Sequence, residues 1–160
     1  MKSVRVYVGL GGNLGDAKAT LSQALEALRP LAEDGRVQCS RWYRSAPVDA
    51  VGPDFLNAVA SFETVLSPLA LLAELQRIEH AQGRERSYRN APRTLDLDLL
   101  LYGDEQMASD TLTVPHPRLH LRAFALVPLG ELAPGLHIPG LGAIRSLLPG
   151  VADQDLRRAD

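Results

Sequence analysis

Two aspartates in a strand-like segment are the residues of this chain best suited to chemistry. Residues 83–102 read GRERSYRNAPRTLDLDLLLY, and Asp96 and Asp98 lie near the end of that segment. Leucines recur there at period two, at Leu95, Leu97, Leu99 and Leu101. This alternation predicts a β-strand with one apolar face and both aspartates on the other. Their Cα atoms are then separated by two strand steps, about 6.6 Å.

Four arginines precede the aspartates in the same segment: Arg84, Arg86, Arg89 and Arg93. Two unpaired carboxylates do not lie in an apolar core, but Mg²⁺ commonly takes one or two carboxylates together with phosphate oxygens and water. A guanidinium group makes bidentate hydrogen bonds to phosphate. The pattern therefore predicts a magnesium–polyphosphate site. The alternative is an edge strand with a solvated acidic face neutralised by arginines, and the position of the arginine loop directly before the strand favours the phosphate site.

Composition excludes several function classes. The chain of 160 residues has 17 Lys and Arg against 19 Asp and Glu, whereas a general nucleic-acid binder carries a basic excess. The basic character is local, which favours a small anionic ligand. Cys39 is the single cysteine, which rules out a disulfide framework or a thiolate metal cluster and predicts a small buried hydrophobe.

We expect a single domain over residues 1–160 with a frayed tail at 153–160. No signal-peptide pattern and no apolar run of about 18 residues is visible. This predicts a cytoplasmic, monomeric protein without a membrane or nucleic-acid partner.

The order of predicted elements gives the fold class. Strands are predicted from Val4 to Val8 and at 36–45, 55–65 and 95–102, and helices are predicted after Asp16, from Ser67 to Gln82 and at 118–131. Residues 9–16, GLGGNLGD, are predicted to form a tight turn, because no phosphate-loop lysine follows them. The strands at 36–45 and 55–65 are expected to pair antiparallel around a binding loop at 46–55. The order β-α-β-β-α-β predicts an α+β, ferredoxin-like core with an antiparallel sheet, additional C-terminal helices and strands, and α/β/α layers.

Three further residues carry alternatives. Asn13 offers an amide in the glycine-rich segment, which on its own is most simply a turn. Glu79 lies in the last turn of a helix, where a carboxylate is unfavourable to the helix dipole; this indicates a cationic partner, although solvent-facing glutamates are commoner. His116 lies between Pro115 and Pro117, which favours a fixed phosphate ligand over a solvated side chain.

The segment GRERSYRNAPRTLDLDLLLYG, with GGNLGD, WYRSAPV, DFLNA and VPHPRLHLRAF, resembles the 6-hydroxymethyl-7,8-dihydropterin pyrophosphokinases of folate biosynthesis. The resemblance runs from Val4 to about Leu148. It implies transfer of pyrophosphate from ATP to the pterin hydroxymethyl group, with AMP released and two Mg²⁺ ions used.

The resemblance also implies residue roles. Asp96 and Asp98 would hold the metals, and Arg84 and Arg93 would act on the triphosphate in catalysis. The ATP-binding set it implies is Glu79, Arg84, Arg86, Arg89, Arg93, Leu99, Thr113, His116 and Arg122. The pterin-binding set is Asn13, Ser45, Ala46, Val48, Phe55, Asn57 and Phe124, with the two phenylalanines stacking on the ring and Asn57 reading its edge.

Two other functions stay open from the residues alone. A nucleotide-sugar transferase also uses a DxD pair to hold a metal, although 160 residues are short for its nucleotide-binding unit. A non-catalytic ferredoxin-like module could bind RNA or a small ligand, although RNA binding needs exposed aromatic residues and the chain has only 3 Phe, 4 Tyr and 1 Trp.

Overall fold

A computed structural model of the chain describes residues 2–12, 17–45, 54–81 and 95–159. The longer strands are β1 (Val4–Gly12), β4 (Phe55–Thr64) and β5 (Asp96–Tyr102). The shorter strands are β2 (Gln38–Cys39), β3 (Tyr43–Ser45), β6 (Met107–Ala108), β7 (Thr113–Val114), β8 (His137–Ile138), β9 (Gly142–Ala143) and β10 (Leu156–Arg158). The helices are α1 (Ala17–Leu28), α2 (Pro68–Glu79), α3 (Ala123–Leu132) and α4 (Ile144–Leu147).

The main sheet is antiparallel and has the order β10-β3-β4-β1-β5, with β2 also pairing with β4. The element order β-α-β-β-α-β and the strand order agree with the predicted ferredoxin-like core. Helix α2 begins as the sequence predicts, because Ser67 accepts a hydrogen bond from the Ala70 amide at 3.3 Å and Pro68 follows it. The predicted antiparallel pairing of the second and third strands is also confirmed.

The two faces of the sheet are covered by different helices. One face packs Val6, Val8 and Phe62 against the buried stripes of α1 and α2, with Leu21 and Leu75 among them. The other face packs Val59 and Leu101 against α3 and α4, through residues such as Leu126 and Ile144. The predicted α/β/α layering is therefore confirmed.

Alternation along β5 fails at one point. Val8 pairs with Leu99 while Tyr7 pairs with Leu101, so Leu100 is an extra residue at a β-bulge. Leu97 and Leu99 lie on the α1–α2 face, but Leu100 and Leu101 both lie on the opposite face. The prediction that Leu101 shares a face with the other leucines is wrong, because a bulge reverses the alternation beyond it.

Three other boundaries differ from the prediction. The segment Gly9–Gly12 is not a turn but continues β1, because Asn57 and Val59 of β4 supply its pairing partners. The strand predicted at 36–45 is interrupted at Ser40, whose hydroxyl accepts a hydrogen bond from the Val59 amide at 3.0 Å. The helix predicted at 118–131 divides into a 3₁₀ turn at Leu119–Leu121 and α3, because Arg122 adopts an extended conformation.

The tail also differs from the prediction. Residues 153–160 were expected to fray, but Leu156–Arg158 forms β10, which pairs with β3 at the edge of the main sheet. Within the described ranges, no helix is both long and apolar enough to cross a membrane.

Candidate active site

A cavity of about 690 Å³ opens on the face of the sheet that α3 covers only in part. Its floor is formed by β1, β4 and β5, and its walls come from β3, the segment His116–Phe124 and the tail at Gln154–Leu156. Antiparallel pairing brings these strands side by side, so residues distant in sequence share one surface.

The two aspartates lie on the cavity floor, as the strand pattern predicts. Asp96 pairs with Gly11 and Asp98 with Gly9, and all four residues line the cavity. The glycines leave the floor between β4 and β5 without side chains. A Cβ atom on Gly11 would lie 3.4 Å from Oδ1 of Asn57. The floor therefore accepts a flat group or a phosphate lying close to the backbone.

His116 is fixed beside the aspartates by two backbone hydrogen bonds. Its amide donates to the Leu100 carbonyl at 2.9 Å, and its Nδ1 accepts from the Arg118 amide at 3.1 Å. Burial lowers the pKa of His116, and Arg122 and Arg118 lower it further against the opposing effect of Asp98. The ring is therefore neutral at pH 7, and because Nδ1 accepts, Nε2 carries the proton and donates.

A polar amide and an aromatic ring lie on the β3–β4 side of the cavity. Asn57 is buried, and its Nδ2 donates to Oγ of Ser45 at 2.7 Å. The same Nδ2 lies 3.5 Å from the Phe55 carbonyl oxygen, which can only accept, and this contact identifies Nδ2 as the donor side of the amide. Phe55 lines the cavity two residues earlier on the same face of β4.

Arg122 and Phe124 form the opposite wall. Arg122 is the residue before α3 and Phe124 lies in its first turn. The Arg122 guanidinium carbon lies 5.4 Å from the centroid of the Phe124 ring, a distance typical of a cation–π contact. One wall thus presents a cation for phosphate beside an aromatic face for a ring.

Glu79 does not line the cavity, and it contacts the backbone of β5 instead. It is 5% exposed, and its Oε2 accepts a hydrogen bond from the Leu97 amide at 2.7 Å. Leu97 lies between the two aspartates on β5, which is the last strand of the sheet. The solvent-facing alternative for Glu79 is therefore wrong: the carboxylate satisfies an edge amide of the strand that carries the aspartates.

The structure brings together eight of the predicted site residues in the cavity lining: Ser45, Phe55, Asn57, Asp96, Asp98, His116, Arg122 and Phe124. Glu79, Leu99 and Thr113 are described but do not line it. The remaining predicted residues, Asn13, Ala46, Val48, Arg84, Arg86, Arg89 and Arg93, lie outside the described residues.

Several lining residues were missed by the sequence reasoning. Gly9 and Gly11 alternate with Val6, Val8 and Leu10 at period two, and this continued alternation was the signal that could have identified them as strand residues. Arg118 follows His116 by two positions and adds a second cation. Gln154 and Leu156 also line the cavity, and no local pattern in the tail indicates it.

The residues present fit a magnesium ion. Asp96 and Asp98 both line the cavity, and one or two carboxylates with phosphate oxygens and water is the usual ligand set. Among the described residues, no group of three or more His, Cys, Asp or Glu could hold a metal.

Comparison of the sequence with known proteins matches residues 7–134 to the 7,8-dihydro-6-hydroxymethylpterin-pyrophosphokinase (HPPK) family. The chain is 45% identical over 154 residues to 2-amino-4-hydroxy-6-hydroxymethyldihydropteridine pyrophosphokinase of Haemophilus influenzae, covering 96% of both chains. It is 43% identical to the enzyme of the same name from Pseudomonas aeruginosa, again over 96% of both chains.

Solved structures with a similar fold include an HPPK-DHPS in complex with substrates, with a TM-score of 0.74 and 13% identity. Plasmodium falciparum HPPK-DHPS with pteroate gives a TM-score of 0.75 at 15% identity. This chain is covered to 93% and 92%, but it spans only 43% and 44% of those longer chains. At these identities the likeness concerns the fold alone.

We predict that Glu79→Leu destabilises the protein by about 1–3 kcal/mol, because the buried Leu97 amide loses its acceptor. Glu79→Gln keeps an acceptor oxygen of the same reach and should cost less. Urea denaturation measures both, and hydrogen exchange at the Leu97 amide should accelerate in Glu79→Leu only. Glu74→Gln on the exposed side of α2 is the control and should change stability by no more than about 0.5 kcal/mol. A Glu79→Leu protein as stable as the wild type would contradict the assignment.

Proposed function

Because the chain belongs to the 7,8-dihydro-6-hydroxymethylpterin-pyrophosphokinase family, we propose that this cavity transfers pyrophosphate from ATP to the hydroxymethyl group of 6-hydroxymethyl-7,8-dihydropterin and releases AMP. One observation carries the assignment of the site. A single cavity presents two carboxylates and a neutral histidine, and also a buried amide and two phenylalanines. The first set suits a metal-bound polyphosphate and the second suits a flat heterocycle.

Asp96 and Asp98 are the residues that would hold Mg²⁺, and we propose two ions. Bound magnesium neutralises phosphate charge and polarises the attacking hydroxyl. The chain itself contributes alignment: both aspartates are carried by one strand, so the position of the transferred group relative to the pterin is set by the sheet.

Phosphate oxygens are also contacted by His116, beside the aspartates, and by Arg122 in the wall at the start of α3. The neutral His116 ring donates from Nε2, and Arg122 supplies a fixed cation that stabilises charge on the transferred group. Arg118, which also lines the cavity, adds a second positive charge. The arginines predicted to bind the triphosphate, Arg84, Arg86, Arg89 and Arg93, would complete this set.

The pterin lies between Phe55 and Phe124 in this proposal. Its donor and acceptor edge faces Asn57, whose amide is held by Ser45. Backbone groups of Ser45, Ala46 and Val48, with Asn13, would complete the pterin site. Aromatic stacking suits a flat ring and also excludes water from the reacting hydroxymethyl group.

Adenine recognition is proposed at the outer edge of β5. Leu97 directs its amide away from β1 towards Glu79, and because backbone groups alternate along a strand, those of Leu99 face the same edge. The Leu99 side chain is buried in the core, so its contribution to ATP binding is through the backbone. Thr113 lies on β7, which contacts β5.

The test of this function is incubation with ATP, Mg²⁺ and the hydroxymethyl pterin, followed by separation of nucleotides. AMP is expected as the product. With these reactants neither a nucleotide-sugar transferase, which needs a nucleotide-sugar donor, nor a non-catalytic binding module releases AMP. The protein is proposed to act in the cytoplasm as a monomer. Size-exclusion chromatography with light scattering tests the oligomeric state.

We predict that Asp96→Asn or Asp98→Asn lowers kcat on the order of 10²–10³-fold, because each removes a carboxylate that would hold the magnesium stabilising the transition state. The fold should survive, since the substitutions are isosteric and lie at a cavity surface. Steady-state AMP release and thermal unfolding measure the two effects. Asp104→Asn, in the exposed turn after β5, is the matched control. Near-normal turnover of either cavity variant with magnesium would disprove the metal assignment.

We predict that Phe55→Ala and Phe124→Ala each weaken pterin binding while ATP binding changes little. Stacking contributes about 0.5–1.5 kcal/mol beyond burial, so the dissociation constant should rise severalfold. Phe55→Tyr keeps the ring and serves as the control. Fluorescence titration with pterin and with a non-hydrolysable ATP analogue separates the ligands, and equal weakening of both would indicate a general folding defect instead.

We predict that Gly11→Ala weakens pterin binding by about fivefold or more, because overfilling a tight site costs about 1–3 kcal/mol. The added methyl group would lie 3.4 Å from Oδ1 of Asn57, on the cavity floor. Gly135→Ala is the matched control, since nothing lies within 4 Å of a Cβ atom there. If both variants bind pterin equally well, the floor does not contact the ring.

A further inference from the structure

Gln154 connects the C-terminal tail to the wall of the cavity. It follows the turn that ends at Val151 and precedes β10, and it lines the cavity together with Leu156. We call residues 154–158 the C-terminal strap. The established activity of the family does not by itself give these residues a role.

The Gln154 side chain makes two hydrogen bonds on either side of Arg122. Its Nε2 donates to the Leu121 carbonyl at 2.8 Å, and its Oε1 accepts from the Ala123 amide at 2.9 Å. A primary amide is the side-chain group that can donate and accept at once in this arrangement. The Gln154 amide therefore fixes the backbone on both sides of Arg122.

Gln154 bonds to backbone groups at the start of α3, where the first amides have no acceptor within the helix. Arg122 precedes α3 with φ −122° and ψ 113°, and its own side chain does not cap the helix. The Ala123 amide is one of the first amides of α3, which have no acceptor within the helix. Gln154 supplies that acceptor from 31 positions along the chain, so the start of α3 depends on the tail.

The strap also contacts the opposite side of the cavity. Leu156 pairs with Ser45 of β3, and Ser45 accepts the hydrogen bond from Asn57. The same short segment therefore spans from the Asn57 side to the Arg122–Phe124 side. Because the strap contacts both walls, it links the positions of the two surfaces between which a flat ligand would lie.

We propose that Gln154 is a positioning residue for pyrophosphate transfer: its amide fixes the Leu121–Ala123 backbone so that Arg122 faces the phosphates and Phe124 faces the pterin. This inference rests on the proposed roles of Arg122 and Phe124. Gln154 acts through those two residues and takes no part in the reaction itself.

The test compares Gln154→Ala with Asp153→Ala, an exposed neighbour that does not line the cavity. Gln154→Ala should raise the pterin dissociation constant by about fivefold, equivalent to about 1 kcal/mol, and should lower kcat as well. Because Gln154 is exposed, the unfolding midpoint should fall only slightly with the loss of its two hydrogen bonds, and the variant should stay folded under the assay conditions. Gln154→Asn, whose amide is one methylene short of both partners, should behave like the alanine variant.

A double-mutant cycle separates positioning from a general structural effect. In a Phe124→Ala background, Gln154→Ala should change the pterin dissociation constant by less than about twofold, because residues that act through one another are not additive. Hydrogen exchange at the Ala123 amide should accelerate in Gln154→Ala and stay unchanged in Asp153→Ala. This second measurement needs neither substrate nor turnover.

The outcomes distinguish the inference from the function on which it rests. Pterin binding and kcat within twofold of the wild type in Gln154→Ala overturn the inference and leave the proposed function standing. An equal loss in the wild-type and Phe124→Ala backgrounds also overturns it. A wild-type protein that releases no AMP overturns the proposed function and the inference with it.

Discussion

The hydrogen bond from the Leu97 amide to the Glu79 carboxylate is the interaction on which the geometry of the site depends. Leu97 lies between Asp96 and Asp98 on β5. In the part of the chain that the structure describes, β5 is the last strand of the sheet and its outward backbone groups have no neighbouring strand. The Glu79 side chain of α2 accepts from the amide at 2.7 Å and the bond is buried, so its loss would leave a buried donor unsatisfied. The helix layer on one face thereby fixes the strand whose other face carries the aspartates.

Features of the site that follow from local periodicity could be predicted from the sequence. Alternation places Asp96 and Asp98 opposite Leu97 and Leu99, because a strand directs successive side chains to opposite faces whatever its neighbours are. The start of α2 at Ser67 is equally local, since the cap and its proline lie within three residues of the amide they serve. The residues that cause these features are adjacent in sequence, so the features can be predicted without knowing how the strands pair.

Features that depend on pairing could not be predicted in the same way. The bulge at Leu100 arises from the register between β1 and β5, which neither strand specifies alone. Gly9 and Gly11 have turn propensity, but their partners in β4 and β5 hold them in a strand. The tail has few apolar residues to predict an element, and its contacts come from residues distant in sequence: β3 pairs with Leu156–Arg158, and Leu121 and Ala123 bond to Gln154. Tertiary contacts override local preference in each case.

The charges of the cavity explain why one site can receive a metal and a polyphosphate together. Asp98 raises the pKa of His116, but burial and the two arginines lower it more strongly, so the histidine stays neutral beside the carboxylates. It can then donate a hydrogen bond without a counterion, while Arg122 and Arg118 supply the fixed positive charge. The carboxylates and these cations line the same cavity, whose floor Gly9 and Gly11 leave without side chains. An anion that brings its own cation fits between them, since the aspartates attract the cation and the arginines attract the anion.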